Sequence, residues 1–214
     1  MKKFKLITLA IIPISIIIFY MWRFASRKRE IPCPFWLRGL VEIDNPFTKA
    51  NKASVIIRQS NIEPGMHVID FGCGPGRLTI PLAERVGADG KVSAVDIQAE
   101  MLARVEKKAS HRNLKNILCV QGRIGEGELQ IPQSDHAVMV SVLGEIPNRQ
   151  AAFNEIFNLL KPGGVLTVAE TIFDPHFQKK ETVIQFAKQA GFQEKDFSGN
   201  WSAYSVLLSK PVIK

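Results

Sequence analysis

The sequence predicts an α/β domain built on a mostly parallel, doubly wound sheet. Three observations point there. Short apolar, β-branched runs alternate with segments of helical spacing along most of the chain. One predicted strand, Ala137 to Leu143, carries no charge, as expected for a strand covered on both faces. The last two strands follow each other with no helix between them, which implies one antiparallel member at that end.

The elements follow in order. Residues 48–61 form a first helix with Ala53, Ile56 and Ile57 on its apolar face, and Glu63-Pro64-Gly65 breaks it. Residues 67–71 are a buried strand, followed by a glycine-rich turn and a helix from Arg77 to Val86, with Pro81 in its early turns. A strand at 91–95 precedes a helix from Gln98 to Ser110, where Leu102, Val105 and Ala109 keep helical spacing. Asn116–Gln121 and Ala137–Leu143 are the third and fourth strands. Phe153, Ile156, Phe157 and Leu160 mark an amphipathic helix over 149–160, ended by Pro162-Gly163-Gly164 before a fifth strand, Val165–Glu170. Val183, Phe186, Ala187 and Ala190 mark the last helix, with Gly191 as its C′ residue. Phe192–Phe197 and Ala203–Ser209 complete the sheet. Right-handed crossovers then place a ligand beyond the carboxyl ends of the strands.

Charge narrows the choice of partner. The net charge is +8, but residues 1–29 hold seven basic side chains and no acid, which leaves 21 basic against 20 acidic residues in the rest. The body is therefore near neutral, which argues against a nucleic-acid substrate. Cys33, Cys73 and Cys119 form no CxxC pair and predict no metal cluster.

The most specific segment is Val68-Ile69-Asp70-Phe71-Gly72-Cys73-Gly74-Pro75-Gly76. Glycines at every second position let a backbone turn sharply, expose N–H groups and approach a ligand closely. The next strand ends on Asp96, placed to accept hydrogen bonds from a ribose diol. A dinucleotide fingerprint would put its third glycine at 77, where Arg77 stands, and this counts against a nucleotide-dependent reductase. An acid ahead of the loop suits a ligand with an amino group better than a pyrophosphate.

On these residues the chain resembles the class I S-adenosylmethionine-dependent methyltransferases. The matching segments are 68–76, 92–102, 137–148 and 159–170, together with Ala190-Gly191-Phe192 and the two closing strands. The resemblance implies a Rossmann-like sheet of seven strands with one antiparallel, and S-adenosylmethionine as cofactor. It implies that Asp70 holds the amino end of the cofactor, that Gly72, Cys73, Gly74 and Gly76 shape the loop, and that Asp96 binds the ribose. Ile97 and Met101 are placed to pack near adenosine. The third strand of the family is usually followed by an acid that accepts from the adenine amino group. Here Gly122-Arg123 stands there, so adenine is held either by backbone groups around Gly122–Ile124 or by Glu126. Ser141 opens the segment Ser141–Pro147, where donor and acceptor meet. Glu145 and His176 are the candidate catalytic groups, and Glu170 closes the fifth strand between them.

Residues Leu6 to Trp22 form an apolar stretch of 17 residues with basic flanks and terminal Tyr20 and Trp22. They predict a membrane anchor helix in an N-terminal segment 1–29, followed by a Pro/aromatic linker at 30–47 and the catalytic domain at 48–214. The need for a cytosolic cofactor places that domain on the cytoplasmic side. The expected activity is methyl transfer to a small or lipid-like acceptor. The alternative is a membrane-tethered cofactor-binding protein on the same scaffold with little turnover, a reading prompted by Arg123.

Overall fold

The computed structural model describes residues 52–212. The predicted anchor, the linker and the first residues of the 48–61 helix lie outside the described residues. Among the described residues no helix is long and apolar enough to cross a membrane.

Helix α1 (Ala53–Gln59) leads into β1 (His67–Phe71), α2 (Thr79–Val86), β2 (Lys91–Asp96), α3 (Ala99–His111) and β3 (Ile117–Gln121). Then come β4 (Ser134–Val140), a 3₁₀ turn (Leu143–Glu145), α4 (Arg149–Leu159), β5 (Leu160–Thr171), α5 (Lys180–Gln189), β6 (Gln193–Gly199) and β7 (Ala203–Ser209). The seven strands form one sheet in the order β3-β2-β1-β4-β5-β7-β6. All neighbours pair in parallel except β7, which runs antiparallel to β5 and to β6. The chain reverses its direction of travel across the sheet between β1 and β4, and a crevice opens outside the carboxyl ends of strands at such a switch point.

Side-chain alternation along the strands feeds two cores. On one face Val68, Val92 and Val138 pack with Ala53 and Ile56 of α1 and Leu82, Ala83 and Val86 of α2. Ala94 packs beside them with Leu102 and Val105 of α3. On the other face Ile69, Phe71, Met139, Leu166 and Val168 pack with Phe153 and Ile156 of α4 and Val183 and Ala187 of α5. The β3-to-β4 crossover has no helix. Ile124 and Ile131 of that loop join the second core directly. The Glu155 carboxylate on α4 pins it by accepting from the Gly125 backbone N–H at 2.6 Å.

Three polar groups run through the first face. His136 Nε2 pairs with Thr167 Oγ1 at 2.9 Å, and that oxygen pairs with Ser60 Oγ at 2.9 Å. Burial holds the His136 imidazole down at about 3, so it is neutral and structural.

Two predicted boundaries are corrected. The fourth strand spans Ser134–Val140, not Ala137–Leu143, because Ser141 takes a left-handed φ of 55° and turns the chain out of the sheet. The Pro162-Gly163-Gly164 stretch is part of β5, not a loop before it. Gly163 N–H donates to Lys210 O, and Lys210 N–H to Gly164 O, which extends the strand beyond its apolar core. Elsewhere the boundaries shift by a residue or two, the normal uncertainty at element ends.

Candidate active site

The glycine loop leaves β1 at the switch point. Gly72 has φ +65°, and a Cβ there would run into the Val142 side chain just beyond β4. The loop is therefore clamped against the segment that follows β4. Cys73 N–H donates to Val95 O at 3.0 Å and Gly76 N–H donates to Cys73 O at 3.0 Å, which close the turn. A Cβ on Gly74 would meet nothing within 4 Å, so the loop backbone borders open space there. Burial, helped by Asp70 and Asp96, pushes the Cys73 thiol well above its ordinary range. It is a neutral space-filler and not a nucleophile.

Asp96 ties the loop to the next helix. Its Oδ2 accepts from Gly74 N–H at 2.9 Å and its Oδ1 from Gln98 N–H at 2.9 Å. It thus caps the approach to α3 as well as bracing the turn. Burial raises its carboxyl above the ordinary value, while the backbone donors of Gln98 and Gly74 pull it back. With Ile97 N–H as a third backbone donor, the two oxygens still keep one acceptor position between them. Ile97 is half-buried beside it and Met101 is buried within α3.

Asp70 lies deeper, 3 % exposed, and its Oδ2 accepts from Thr79 Oγ1 at 2.6 Å. Burial pushes its carboxyl up to about 7, against the hydrogen bond from Thr79 and the charge of Arg77. Thr79, the first residue of α2, is a partner that no spacing rule singled out.

On the far side of β2, Gly122 N–H donates to Asp96 O at 3.1 Å. Arg123 is exposed, and its guanidinium pairs with Glu126 at 3.1 Å. The two residues weighed for the adenine edge therefore bind each other at the surface of that loop.

Beyond β4 a second group forms. Ser141 holds its positive φ while its N–H donates to Ala169 O at 2.9 Å, so the strained residue is anchored to β5. Glu145 and His176, far apart in sequence, meet here: His176 Nδ1 lies 3.7 Å from Glu145 Oε1 and 3.9 Å from Asp174 Oδ1. Both distances exceed a hydrogen bond, and neither ring nitrogen has a hydrogen-bond partner although the side chain is 4 % exposed. The His176 backbone N–H is fixed by Asp174 Oδ1 at 2.7 Å and its carbonyl by Gln178 Nε2 at 2.6 Å. Arg149 donates to the carbonyls of Leu143 and Gly144 and so holds the 3₁₀ turn. A Cβ on Gly144 would collide with the backbone of His176, so only glycine lets the two loops pack this closely. That glycine, next to the candidate Glu145, was the one trace of this contact in the sequence.

Glu170 completes the group from the end of β5. It is 1 % exposed, and its Oε2 accepts from Gln178 N–H at 3.1 Å. Its cross-strand partner is Tyr204, whose hydroxyl donates to Gln178 O at 2.8 Å. Burial, with Asp174 and Glu145 nearby, pushes its carboxyl well above the ordinary range. Among the described residues no group of three or more His, Cys, Asp or Glu side chains is arranged to hold a metal ion.

Comparison with known proteins agrees with this geometry. A family model described as a methyltransferase domain matches residues 62–203. A demethylmenaquinone methyltransferase from Geobacillus stearothermophilus is 31% identical over 120 residues, which covers 54% of this chain and 50% of that protein. An arsenite methyltransferase from Aquipseudomonas alcaligenes is 30% identical over 148 residues, 66% of this chain and 43% of that protein. The chain thus spans about half the length of the curated relatives it matches. A SAM-dependent methyltransferase structure from Aquifex aeolicus has the same fold, with a TM-score of 0.74 at 19% identity over 85% of this chain and 100% of that one. A methyltransferase-domain model matches residues 62–203 of a chain that carries the glycine loop, the braced Asp96 and this strand order, so the chain belongs to the class I S-adenosylmethionine-dependent methyltransferases.

Proposed function

We propose that the protein transfers the methyl group of S-adenosylmethionine to a small or lipid-like acceptor at the carboxyl edge of β1, β4 and β5. The observation that carries this is the loop itself. Its backbone faces open space at Gly74 while Asp96, bound to that same residue, keeps acceptor capacity for a ribose diol. The residues suit the cofactor: a glycine cradle that a Cβ would fill, and a carboxylate at the end of the neighbouring strand β2. Bound S-adenosylmethionine supplies a methyl group on a sulfonium, whose leaving group is a neutral thioether.

The protein's own part is mainly positioning. Alignment of reacting groups contributes about 7–11 kcal/mol in well-oriented systems. Gly72, clamped on Val142, and Ser141, tied to β5, hold the donor and acceptor sides of the crevice in register. His176, held through its backbone by Asp174 and Gln178 with Glu145 beside the ring, takes the proton of an acceptor that must lose one. The relatives named for a menaquinone precursor and for arsenite support a small-molecule acceptor. The apolar stretch Leu6–Trp22 supports a membrane anchor, and the need for a cytosolic cofactor puts the catalytic domain on the cytoplasmic side.

Two measurements test the reading. Calorimetry should detect S-adenosylhomocysteine binding, and Asp96→Ala should weaken it at least about tenfold, the loss of a charge-assisted hydrogen bond. Methyl-labelled cofactor given to membrane lipids and cytosol should yield a labelled product. No heat at millimolar ligand ends the cofactor reading. Binding without any labelled product favours instead the tethered binding protein suggested by Arg123.

A further inference from the structure

We propose that the carboxyl end of β5 is the acceptor subsite, and that Glu170 and His176 there bind the hydroxyl group of an uncharged acceptor. The inference rests on the methyltransferase reading and adds the chemical class of the second substrate.

Buried polar atoms without partners are few in native proteins, and each asks for a cause. Here they are neighbours. Glu170 Oε1 and both ring nitrogens of His176 are buried and have no hydrogen-bond partner. Gln178 links the two residues, since its backbone N–H donates to Glu170 Oε2 and its side-chain amide to the His176 backbone carbonyl. Glu145 lies 3.7 Å from the imidazole and acts electrostatically on Glu170. Packing does not explain the vacancy, because the loop is held firmly by Asp174, Gln178 and the close approach at Gly144. The constellation stands one strand from Ser141 and from Val142, which touches the glycine loop.

The charges select the ligand. Glu145 and Asp174 flank the imidazole and act electrostatically on Glu170, as does the Arg149 guanidinium, which also donates to the carbonyls of Leu143 and Gly144. A carboxylate or phosphate on the acceptor would meet the Glu145 and Asp174 carboxyl groups with a single guanidinium to offset them, an unfavourable balance. A hydroxyl can do what the site asks. Burial pushes the Glu170 carboxyl well above its ordinary range, which favours its O–H form, a donor, and an imidazole nitrogen with a lone pair accepts. One hydroxyl satisfies both at once.

The test uses the full chain with S-adenosylhomocysteine and two probes that share a ring, phenol and benzoate. Side-chain spectra of the labelled histidines are followed during titration, with His176→Asn identifying the His176 signals among the four histidines. Phenol should move the His176 signals saturably, and benzoate should leave them unmoved. Glu170→Gln retains a donor and should hold phenol within about twofold, whereas Glu170→Leu should weaken it at least about fivefold. A merely structural Glu170 would not separate these two variants. The subsite is overturned if benzoate binds as well as phenol, if phenol binding leaves the His176 signals in place, or if phenol does not bind. Loss of S-adenosylhomocysteine binding by the unaltered protein would instead remove the methyltransferase reading itself.

Discussion

Replacing Asp70 by Asn should make the free protein more stable at high pH. The carboxyl is buried beside the glycine loop, receives one hydrogen bond from Thr79, and titrates at about 7 in place of the ordinary 3.8. The sign follows from proton counting. Between those two values the folded protein keeps a proton that the unfolded chain has lost, so stability falls as pH rises through the window and levels off above 7. At about 1.4 kcal/mol per pH unit, the full penalty is about 4 kcal/mol, of which about 3 develop between pH 5 and pH 8.5. Asn has nearly the same shape, keeps an oxygen for the Thr79 hydroxyl, and carries no such penalty. Urea unfolding of the two proteins without cofactor should therefore show a stability gap that widens by about 3 kcal/mol from pH 5 to pH 8.5. The same change should weaken S-adenosylhomocysteine binding, a trade of function for stability. A gap that does not change with pH, or an Asn variant less stable than the parent at pH 8.5, would refute the reasoning.

Three more outcomes are expected. Gly72→Ala combines a left-handed backbone with a collision at Val142 and should cost about 2–4 kcal/mol in thermal or chemical unfolding, part of which Val142→Ala restores. Ser141→Gly relieves the φ of 55° and should raise stability by about 1 kcal/mol, while the freer backbone lowers turnover in the labelled-methyl assay. His176→Asn should lower kcat about 10²–10⁴-fold, as loss of a general base does, and calorimetry should find cofactor affinity unchanged.

The legible parts of this protein are those with local causes. The glycine loop could be read because alternate glycines after a buried strand open backbone paths closed to other residues, and all three, Gly72, Gly74 and Gly76, take positive φ. Asp96 could be read because an acid ending a parallel strand must stand at the ligand edge. Even the reversed strand followed from two strands with no helix between them. Misjudged boundaries fell where tertiary contacts overrode local pattern. Ser141 ends an apolar run that looks like uninterrupted strand, because its φ of 55° turns the chain out of the sheet after a last bond to Ala169. Lys161–Gly164 joins β5 in spite of its Pro-Gly-Gly, because the Lys210 backbone pairs with it.

By itself the chain determined its sheet, its glycine turn and the class of cofactor, since each depends on periodicity and backbone freedom within some thirty residues. The tertiary structure alone decided that Thr79 closes over Asp70, that Arg123 turns to Glu126, and that Glu145, Glu170 and His176 share one buried place. Those groups come from three separate loops and strand ends. Their meeting depends on how far each crossover travels over the sheet, a quantity that no local spacing contains.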